Sequence, residues 1–408
     1  GGGGRRKSKK GSLPEVTQLM TRKDASFVLN KWVFRTKESA SVGASGGEGA
    51  GEGGWSVAGA SDPLIPHSRN EDLLEYVRMQ LAASPDVDDA AAALLARELM
   101  REFDEATRTV ESFRRRHVQQ LRRRGGRATD ASLGVSMRER RQEGADETVV
   151  QLRYTDPFGA RHLDHTVELW RSHYDRLSRD YAEARNGAAS NARLNWRIFN
   201  VVLRYETLAR FSSGLQAALP PRMFAVLHRL FGVRHECFAS PLNRSDHTLS
   251  FGSIFPDTDR YFGSRGSFFS FAPGIGSFEC NPPFDRRSIQ QCFAYIVQLL
   301  READAKADPH PLSFVVVIGE MERWDPVVEV EGVEEYLCEA RRVERGRHSY
   351  LWGMQHRPVR GRGWRTAADE WKASMASAVY WLQNAAGGVT WPVTRDKVDA
   401  VMEAFKLE

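Results

Sequence analysis

Several features that would assign this chain to a common class are missing from it. Only four of its 408 residues are cysteines, and their spacing suits neither a disulfide framework nor a zinc module. No Gly-x-Gly-x-x-Gly fingerprint stands between a predicted strand and a predicted helix, which argues against NAD or FAD. No apolar run approaches the ~20 residues of a membrane span, and no secretory signal is recognisable. We therefore expect an intracellular protein with reduced thiols, no metal and no membrane.

What the chain does have is a large apolar content and an excess of positive charge. At 41% hydrophobic residues it can bury one large core or two ordinary ones. The formal net charge of +5 and the sequence pI near 9.0 favour a polyanionic partner.

The most informative segment is Asn281-Pro282-Pro283-Phe284, which follows the apolar stretch 276–280. The carboxamide oxygen of Asn281 and the carbonyl of Pro282 can accept the two N–H bonds of an adenine amine. The prolines fix the backbone, and the ring of Phe284 can stack on the base for roughly 1–3 kcal/mol. The segment predicts methylation of an exocyclic amine by positioning and electrostatics, although the tetrapeptide alone also occurs in ordinary turns.

The surrounding sequence supports an α/β reading of this segment. Residues 267–271 and 277–280 predict strands, and a helical apolar stripe follows the motif, comprising Ile289, Cys292, Phe293, Ile296, Leu299 and Leu300. The run 312–318 then predicts a buried strand. Strand, turn, helix and buried strand form the unit of a parallel sheet, whose ligands bind beyond the carboxyl ends of the strands.

Upstream of the motif lies a candidate cofactor site. Residues 233–238 predict a strand that runs into a turn of small and polar residues, and an acidic segment further on can grip ribose hydroxyls. S-adenosylmethionine needs no pyrophosphate cradle, so it suits this site. The predicted cofactor-binding residues are Ala239, Ser240, Pro241, Asn243, Asp257, Asp259, Phe262, Gly263 and Ser264. The alternative is that Asp257 and Asp259 only shape a loop.

These blocks, in this order, resemble one family: the phosphorylated CTD interacting factor 1 family, the cap-specific adenosine N6-methyltransferases. The blocks that carry the resemblance are 235–243, 255–259, 262–266, 276–279, 281–284, 312–314 and 381–384. The resemblance implies an S-adenosylmethionine-dependent enzyme with a Rossmann-like methyltransferase sheet. It also implies a substrate, the 2′-O-methylated adenosine that follows the 7-methylguanosine cap of messenger RNA.

One feature of that family is not recognisable here. Its animal members carry an N-terminal WW module that binds the phosphorylated tail of RNA polymerase II. The first sixty residues of this chain hold only Trp32 and Trp55, with a Gly/Ala/Ser/Glu-rich segment between them. We therefore expect no WW module and do not carry over binding to the polymerase tail.

The sequence suggests three regions. Residues 1–61 are basic and glycine-rich and predict disorder, and the cluster 5–10 suits either nuclear targeting or a solvated segment. Residues 62–230 predict a mainly helical domain that begins a helix at Ser84-Pro85-Asp86 and includes a hairpin of 149–154 with 160–165. Residues 231–408 predict the Rossmann-like catalytic domain.

Arginines interleaved with aromatic residues suggest where RNA binds. The segment 341–365 suits single-stranded RNA, because charge follows the backbone while rings stack on bases; a solvated loop is the alternative. The predicted RNA-binding residues are Arg345, Arg347, His356, Arg357, Arg360 and Arg362. The arginine triplets 114–116 and 122–124 suit phosphate contacts or a solvated helix end equally. Trp196, Tyr205 and Trp352 are candidate cap walls, each of which also suits a core.

The sequence therefore predicts a monomeric, nuclear or cytoplasmic methyltransferase of the capped 5′ end of messenger RNA. Its product is a mono- or dimethylated adenosine amine. Two alternatives stay open: a methyltransferase of adenine in DNA or internal RNA, and a catalytically silent RNA-binding scaffold.

Overall fold

A computed structural model describes residues 74, 78, 88–94, 96–97, 101, 104–105, 108, 135–141, 147–154, 165–184, 191–209, 217–284, 286–320, 325–358 and 370–407. The chain divides into two compact units, 1–132 with 156–163 and 133–155 with 164–408. The predicted disordered segment 1–61, the helix start at Ser84-Pro85-Asp86 and both arginine triplets lie outside the described residues.

In the first unit the described residues from 89 to 108 are helical, as predicted for this stretch. The backbone N–H of Ala91 donates to Asp88 Oδ1 at 2.7 Å, so the Asp88 side chain satisfies one of the unpaired donors at this helix end.

The second unit opens with a small antiparallel sheet. Its strands, in the order β1-β2-β3, are Val135–Arg141, Thr148–Tyr154 and His165–Trp170. In β2, Val150, Leu152 and Tyr154 are buried with less buried residues between them, as expected for a sheet that covers a core on one face. The first strand of the predicted hairpin is confirmed, and β2 pairs with β3 from His165 onward, while residues 160–164 of the predicted second strand lie outside the described residues.

Three helices follow: α1 (Arg171–Ala184), α2 (Asn191–Ala209) and α3 (Pro221–Phe231). Proline suits the first turn of α3, because its missing N–H has no partner there in any case. Gly232 ends α3 at φ 65°, a left-handed conformation that glycine adopts without steric cost.

The second and larger sheet carries the candidate site. Its strands are β4 (Val233–Glu236), β5 (Ser250–Phe251), β6 (Gly276–Cys280), β7 (Leu312–Gly319), β8 (Leu337–Val343) and β11 (Ser377–Gln383). Their order is β5-β4-β6-β7-β11-β8. β4 pairs in parallel with β5 and β6, and β6 pairs in parallel with β7. β11 lies antiparallel between β7 and β8, so the sheet is mixed and the fold is α/β.

The remaining α-helices and β-strands lie between these strands or follow β11. They are α4 (Pro256–Asp259), α5 (Arg286–Asp304), α6 (Pro326–Glu329), α7 (Val333–Tyr336), β9 (Ser349–Leu351), β10 (Glu370–Lys372), α8 (Ala385–Thr390) and α9 (Arg395–Phe405). β9 and β10 form a separate two-stranded sheet. No helix among the described residues is long and apolar enough to cross a membrane.

Both faces of the larger sheet are covered. The predicted apolar stripe of α5 packs on one face, against Phe278, Phe314 and Val316. Helices α3 and α9 pack on the other face, against Val315 and Val317. Every residue of β7 is buried, which explains why its sequence is a continuous apolar run and confirms the strand predicted at 312–318.

Two expectations about the fold need correction. Residues 267–271 were expected to form a strand, but Phe268–Ser270 is a 3-10 turn in which Ser267 Oγ accepts from the N–H of Phe269. Phe268 packs instead on Phe238, Tyr295 and Phe314. The region 62–230 was expected to be one mainly helical domain, but residues 164–230 belong to the same compact unit as the larger sheet.

Candidate active site

The site forms where the order of the strands in the larger sheet reverses. From β4 the chain continues to β5 on one side, and β6 lies on the other side. The N–H of Cys237, just past β4, donates to the carbonyl of Glu279 in β6 at 2.8 Å. The carboxyl ends of β4 and β6 are therefore held side by side, which is where open α/β sheets bind ligands.

Asn281 extends from the end of β6 into this position. Its Nδ2 donates to the carbonyl of Ala217 at 3.4 Å, while its Oδ1 is buried and has no hydrogen-bond partner among the described residues. An unpaired buried acceptor costs about 1–3 kcal/mol, so it is uncommon outside functional sites. The amide oxygen is thus left without a protein donor in the described part of the chain, and the predicted role of Asn281 as an acceptor for a ligand stays a prediction.

The neighbouring residues make this turn rigid. Pro282 is buried and Pro283 partly buried, so the two fixed φ angles are also held by packing. The ring of Phe284 packs edge-to-face on Tyr350, with centroids 5.4 Å apart. It passes so close to Gly319 that a Cβ there would lie 2.9 Å from Phe284 Cδ2. Phe284 is therefore held in one orientation beside Asn281.

The segment that contacts Asn281, at Ala217 and Ala218, is linked to an exposed tryptophan. Ala218, next to the Asn281 contact, exchanges backbone hydrogen bonds with Leu351 at 3.3 and 2.8 Å. Trp352 follows directly and is 40% exposed, so its ring remains available for stacking. The other two candidate cap walls, Trp196 and Tyr205, are buried in the core and are excluded from that role by packing.

The loops predicted to hold the cofactor lie against one another. The N–H of Ala239 donates to Gly252 O at 2.9 Å, and the N–H of Ser253 donates to Gly266 O at 2.8 Å. The hydroxyls of Ser253 and Ser264 are 2.6 Å apart. These bonds hold the segments 237–243 and 252–266 together beyond β4. Gly263 has φ 90°, and a Cβ on it would meet nothing within 4 Å, so one side of this loop is open.

Several predicted cofactor ligands are instead used inside these loops. Asn243 Oδ1 accepts from both the N–H and the hydroxyl of Ser240 at 2.7 Å, which closes the turn on itself. Pro241 is buried, and its carbonyl accepts from Arg176 in α1. The Asn243 side chain therefore stabilises the turn, in contrast to the predicted contact with a nucleoside.

The side chains of Asp259 and Phe262, also predicted to bind the cofactor, are used inside the protein as well. Asp259 is fully buried; its Oδ2 accepts from the hydroxyl of Tyr205 at 2.6 Å and its Oδ1 from Thr258 at 2.9 Å. Phe262 is buried and packs on Tyr181. Both side chains attach the loop to α1 and α2, so packing replaces the predicted ribose and cofactor contacts. The side chain of Asp257 lies outside the described residues.

Sequence reasoning missed two acidic residues at this edge of the sheet. Glu236 ends β4, Glu279 lies in β6, and both side chains are buried. Burial raises the pKa of Glu236 to about 7, while the nearby Arg244 and Arg176 and the N–H of Ser245 oppose that shift. Burial, and then the charge of Glu236, raises the pKa of Glu279 well above its usual value. One signal was available: each glutamate stands near the carboxyl end of a predicted strand.

These features fit S-adenosylmethionine, which carries a positive sulfonium and an ammonium group. The carboxyl groups are near a position where a parallel sheet binds ligands, and Glu279 Oε1 and Oε2 have no hydrogen-bond partner among the described residues. No group of three or more His, Cys, Asp or Glu side chains that could hold a metal occurs in the described part of the chain.

The predicted RNA-binding residues divide between surface and core. Arg345 and Arg347 are exposed in the turn after β8, and Arg357 is exposed beyond β9. His356 is fully buried, and its carbonyl accepts from the N–H of Trp170 at the end of β3. Burial lowers the pKa of His356 to about 3, so it is not a surface cation. Arg360 and Arg362 lie outside the described residues.

Comparison with known proteins identifies relatives of this chain. It is 32% identical over 252 residues to proteins of Homo sapiens and Mus musculus, each named mRNA (2′-O-methyladenosine-N(6)-)-methyltransferase. The similarity covers 60% of this chain and 34% of each relative. The chain therefore spans about a third of the length of the curated relatives it matches.

A family model described as the Phosphorylated CTD interacting factor 1 WW domain matches residues 174–353. The expectation that no WW module is present is therefore wrong. The match lies in the middle of the chain, whereas the tryptophan pair was sought in the first sixty residues. The argument against binding to the polymerase tail rested on that expected absence and does not stand.

Proposed function

We propose that this protein is a methyltransferase that transfers a methyl group from S-adenosylmethionine to the N6 amine of the first transcribed adenosine beside a 7-methylguanosine cap. The observation that carries the proposal is the buried, unpaired Oδ1 of Asn281, on a rigid turn where the parallel strands end. The names of the human and mouse relatives support the same reaction on messenger RNA.

The arrangement supports a reaction by positioning. Asn281 Oδ1 and the Pro282 carbonyl accept the two N–H bonds of the amine, which turns the nitrogen lone pair away from them. Phe284, held by Tyr350, stacks on the adenine ring. Preorganised acceptors of this kind act without reorganising during the reaction, and no covalent intermediate with the protein is required.

We propose a Rossmann-like fold for the larger sheet, with S-adenosylmethionine at its carboxyl edge. The reversal of strand order at β4 and the parallel pairing of β5, β4, β6 and β7 support this. When bound, S-adenosylmethionine supplies an electrophilic methyl group. The segments 237–243 and 252–266 hold it through backbone groups and the open side of Gly263, with Glu236 and Glu279 beneath.

For the RNA, we propose contacts on the side of the site formed by β9 and the turn after β8. Arg345, Arg347 and Arg357 are exposed there and suit phosphate groups. Trp352, linked to Asn281 through Ala217, Ala218 and Leu351, supplies an exposed ring. A terminal adenosine needs no extraction from a duplex, so little unstacking energy opposes its entry.

Mass spectrometry of nucleosides tests this proposal. Capped and uncapped RNAs that begin with adenosine are incubated with S-adenosylmethionine and wild-type protein or Asn281→Ala. We expect N6-methyladenosine only from capped RNA and wild type, with a loss of about 10²–10³-fold in the variant. A dimethyl product would show that the site accepts an amine that already carries one methyl group.

Two alternatives give different results in the same experiment. Equal methylation of uncapped RNA, with no inhibition by free cap analogue, would indicate an enzyme that acts on internal RNA or DNA. No product on any substrate, together with no binding of S-adenosylmethionine in calorimetry, would indicate a silent RNA-binding scaffold.

A further inference from the structure

Glu236 and Glu279 form a buried carboxyl pair across two neighbouring strands. They are direct register partners in the parallel pairing of β4 with β6. Their exposed fractions are 2% and 0%. Glu279 lies in β6, two residues before Asn281, at the carboxyl end of that strand. The carboxyl pair therefore lies at the ends of two neighbouring strands, and the Asn281 turn extends from one of them.

The two carboxyl groups have different surroundings. Glu236 Oε2 accepts from the N–H of Ser245 at 2.9 Å, and the positive charges of Arg244 and Arg176 lie near it. Neither oxygen of Glu279 has a hydrogen-bond partner among the described residues. Arg176 and Arg244 are themselves used to fix the loop, through the carbonyls of Leu242 and Ser245. Among the described residues, Glu279 is thus the member of the pair that has neither a hydrogen-bond donor nor a positive charge beside it.

The other titratable groups near the pair do not supply the missing charge. Arg244 forms an ion pair with Asp180, and Asp246 lies near both arginines. The remaining neighbours are groups whose pKa values are raised, chiefly by burial, and which are therefore neutral near pH 7: Tyr350 and the thiols of Cys237, Cys280 and Cys292. No cation among the described residues contacts Glu279.

An ionised carboxylate in such a place is costly. Removing a carboxylate from water without a partner is strongly unfavourable, so the group keeps its proton instead. A second, ionised carboxylate beside it adds repulsion. In the free protein Glu279 is consequently a neutral acid, and the pair carries at most the charge of Glu236. An organic cation placed against the pair would instead favour the ionised form of Glu279.

We infer that Glu279, together with Glu236, forms a subsite for the positive charge of the bound methyl donor, and that Glu279 ionises as the cation binds. The O–H bond of the Glu279 carboxyl group breaks, the proton leaves to solvent, and the carboxylate remains against the cation. This inference rests on the proposed function, because it takes S-adenosylmethionine as the ligand. It adds a recognition element and a proton release that the proposed reaction does not itself require.

Two positive groups of the cofactor suit the subsite, the sulfonium and the ammonium. Three ligands distinguish them: S-adenosylmethionine has both, S-adenosylhomocysteine has only the ammonium, and 5′-methylthioadenosine has neither. Proton release is measured by isothermal titration calorimetry in buffers of different ionisation enthalpy. The same titrations between pH 6 and pH 8 give the change of affinity with pH.

For wild type we expect release of up to about one proton per S-adenosylmethionine and an affinity that rises by up to about ten-fold per pH unit. 5′-Methylthioadenosine should release no proton. Glu279→Gln should abolish the release and weaken binding of S-adenosylmethionine by about ten-fold or more at pH 8. It should leave binding of 5′-methylthioadenosine unchanged, which shows that the nucleoside part of the site is intact.

Glu334→Gln is the matched control, since Glu334 is exposed in α7 and should behave as wild type. Release with S-adenosylhomocysteine as well assigns the ammonium, and release with S-adenosylmethionine alone assigns the sulfonium; either supports the inference. Tight binding without proton release, or equal weakening of all three ligands in Glu279→Gln, would overturn it. Failure of wild type to bind any of the three would overturn the proposed function itself.

Thermal unfolding of the ligand-free protein is an independent readout. Because Glu279 is neutral in the free protein, Glu279→Gln should unfold at the same temperature as wild type or a higher one. A lower unfolding temperature at pH 8 would mean that the ionised group already has a partner in the free protein, and would contradict the inference.

Discussion

The side-chain amide of Asn281 donates to the backbone carbonyl of Ala217 at 3.4 Å, across 64 positions of the chain. This contact fixes which end of the amide faces the site. With Nδ2 bound to Ala217, Oδ1 is directed away from that wall and left without a protein donor. Ala218, the next residue, is hydrogen-bonded to Leu351, which precedes Trp352. These backbone contacts connect the amine acceptor with the exposed ring.

The close approach of Phe284 to Gly319 gives a first prediction. In Gly319→Ala the new Cβ would lie 2.5 Å from Met375 Sδ and 2.9 Å from Phe284 Cδ2, so the aromatic ring must move. We expect kcat/KM for capped RNA to fall about ten- to a hundred-fold, because adenine stacking is displaced. Steady-state kinetics measures this, and Gly274→Ala, where a Cβ meets nothing within 4 Å, is the control. Unchanged kinetics in Gly319→Ala would remove Phe284 from the proposed site.

The buried contact between Tyr205 and Asp259 gives a second prediction, concerning stability. Tyr205→Phe removes the hydroxyl that donates to Asp259 Oδ2 at 2.6 Å. We expect the free energy of unfolding in urea to fall by about 1–3 kcal/mol, since a buried acceptor loses its donor. Tyr295→Phe, whose hydroxyl donates to a carbonyl in a part-buried setting, should change it by less than about 0.5 kcal/mol. If Tyr205→Phe retained full stability while its affinity for S-adenosylmethionine rose, Asp259 would regain its predicted role as a ribose ligand.

The pKa of Glu236 gives a third prediction, concerning pH. Burial raises this pKa from 4.5 to about 7, so between those values the folded state keeps a proton that the unfolded state releases. The free energy of unfolding contributed by this group therefore falls as pH rises through the window, by about 3 kcal/mol in total.

Buried histidines act in the opposite direction. The pKa values of His235 and His356 are lowered by burial to about 4 and about 3, so their contribution to stability grows as pH rises towards 6.5. The difference between wild type and Glu236→Gln isolates the carboxyl group. We expect the variant to gain about 3 kcal/mol relative to wild type between pH 4.5 and pH 7.5. Denaturant titrations across this range measure it, and a constant difference would show that Glu236 is ionised throughout.

The exposed arginines after β8 give a fourth prediction. Arg345→Ala with Arg347→Ala should weaken binding of a short capped RNA and flatten the dependence of log Kd on log salt concentration by about 0.7 per lost phosphate contact. Fluorescence anisotropy at several salt concentrations measures both effects. Arg395→Ala, which removes another exposed cation, in α9, is the matched control. Equal salt dependence in the double variant and wild type would place the RNA elsewhere.

Local sequence patterns were sufficient to predict some of the secondary structure and the position of the motif at 281–284. The run 312–318 predicted a strand because it is short and rich in β-branched residues, as in a sheet buried on both faces. The stripe of α5 predicted a helix because its apolar residues recur at helical spacing. The motif at 281–284 was located because proline, amide and aromatic chemistry can be read from adjacent residues. The family resemblance rested on the same kind of local blocks.

Tertiary structure decided what those patterns leave open. Phe268 and Phe269 have the composition of a strand but pack on Tyr295 in a 3-10 turn. Asp259 and Asn243 have the chemistry of ligands, yet their oxygens are used by Tyr205 and Ser240. Arginine-rich surroundings suggested that His356 binds RNA at the surface, but its side chain is fully buried.

The sequence by itself determined the class of the fold and the position of the Asn281 turn after β6, because both depend on residues that are neighbours in the chain. Only the tertiary structure determined which polar groups remain unpaired. Asn281 Oδ1 lacks a partner because Ala217 takes the other end of the amide. Glu279 lacks one because the parallel register sets it against Glu236, and no short-range pattern encodes a pairing between strands more than forty residues apart.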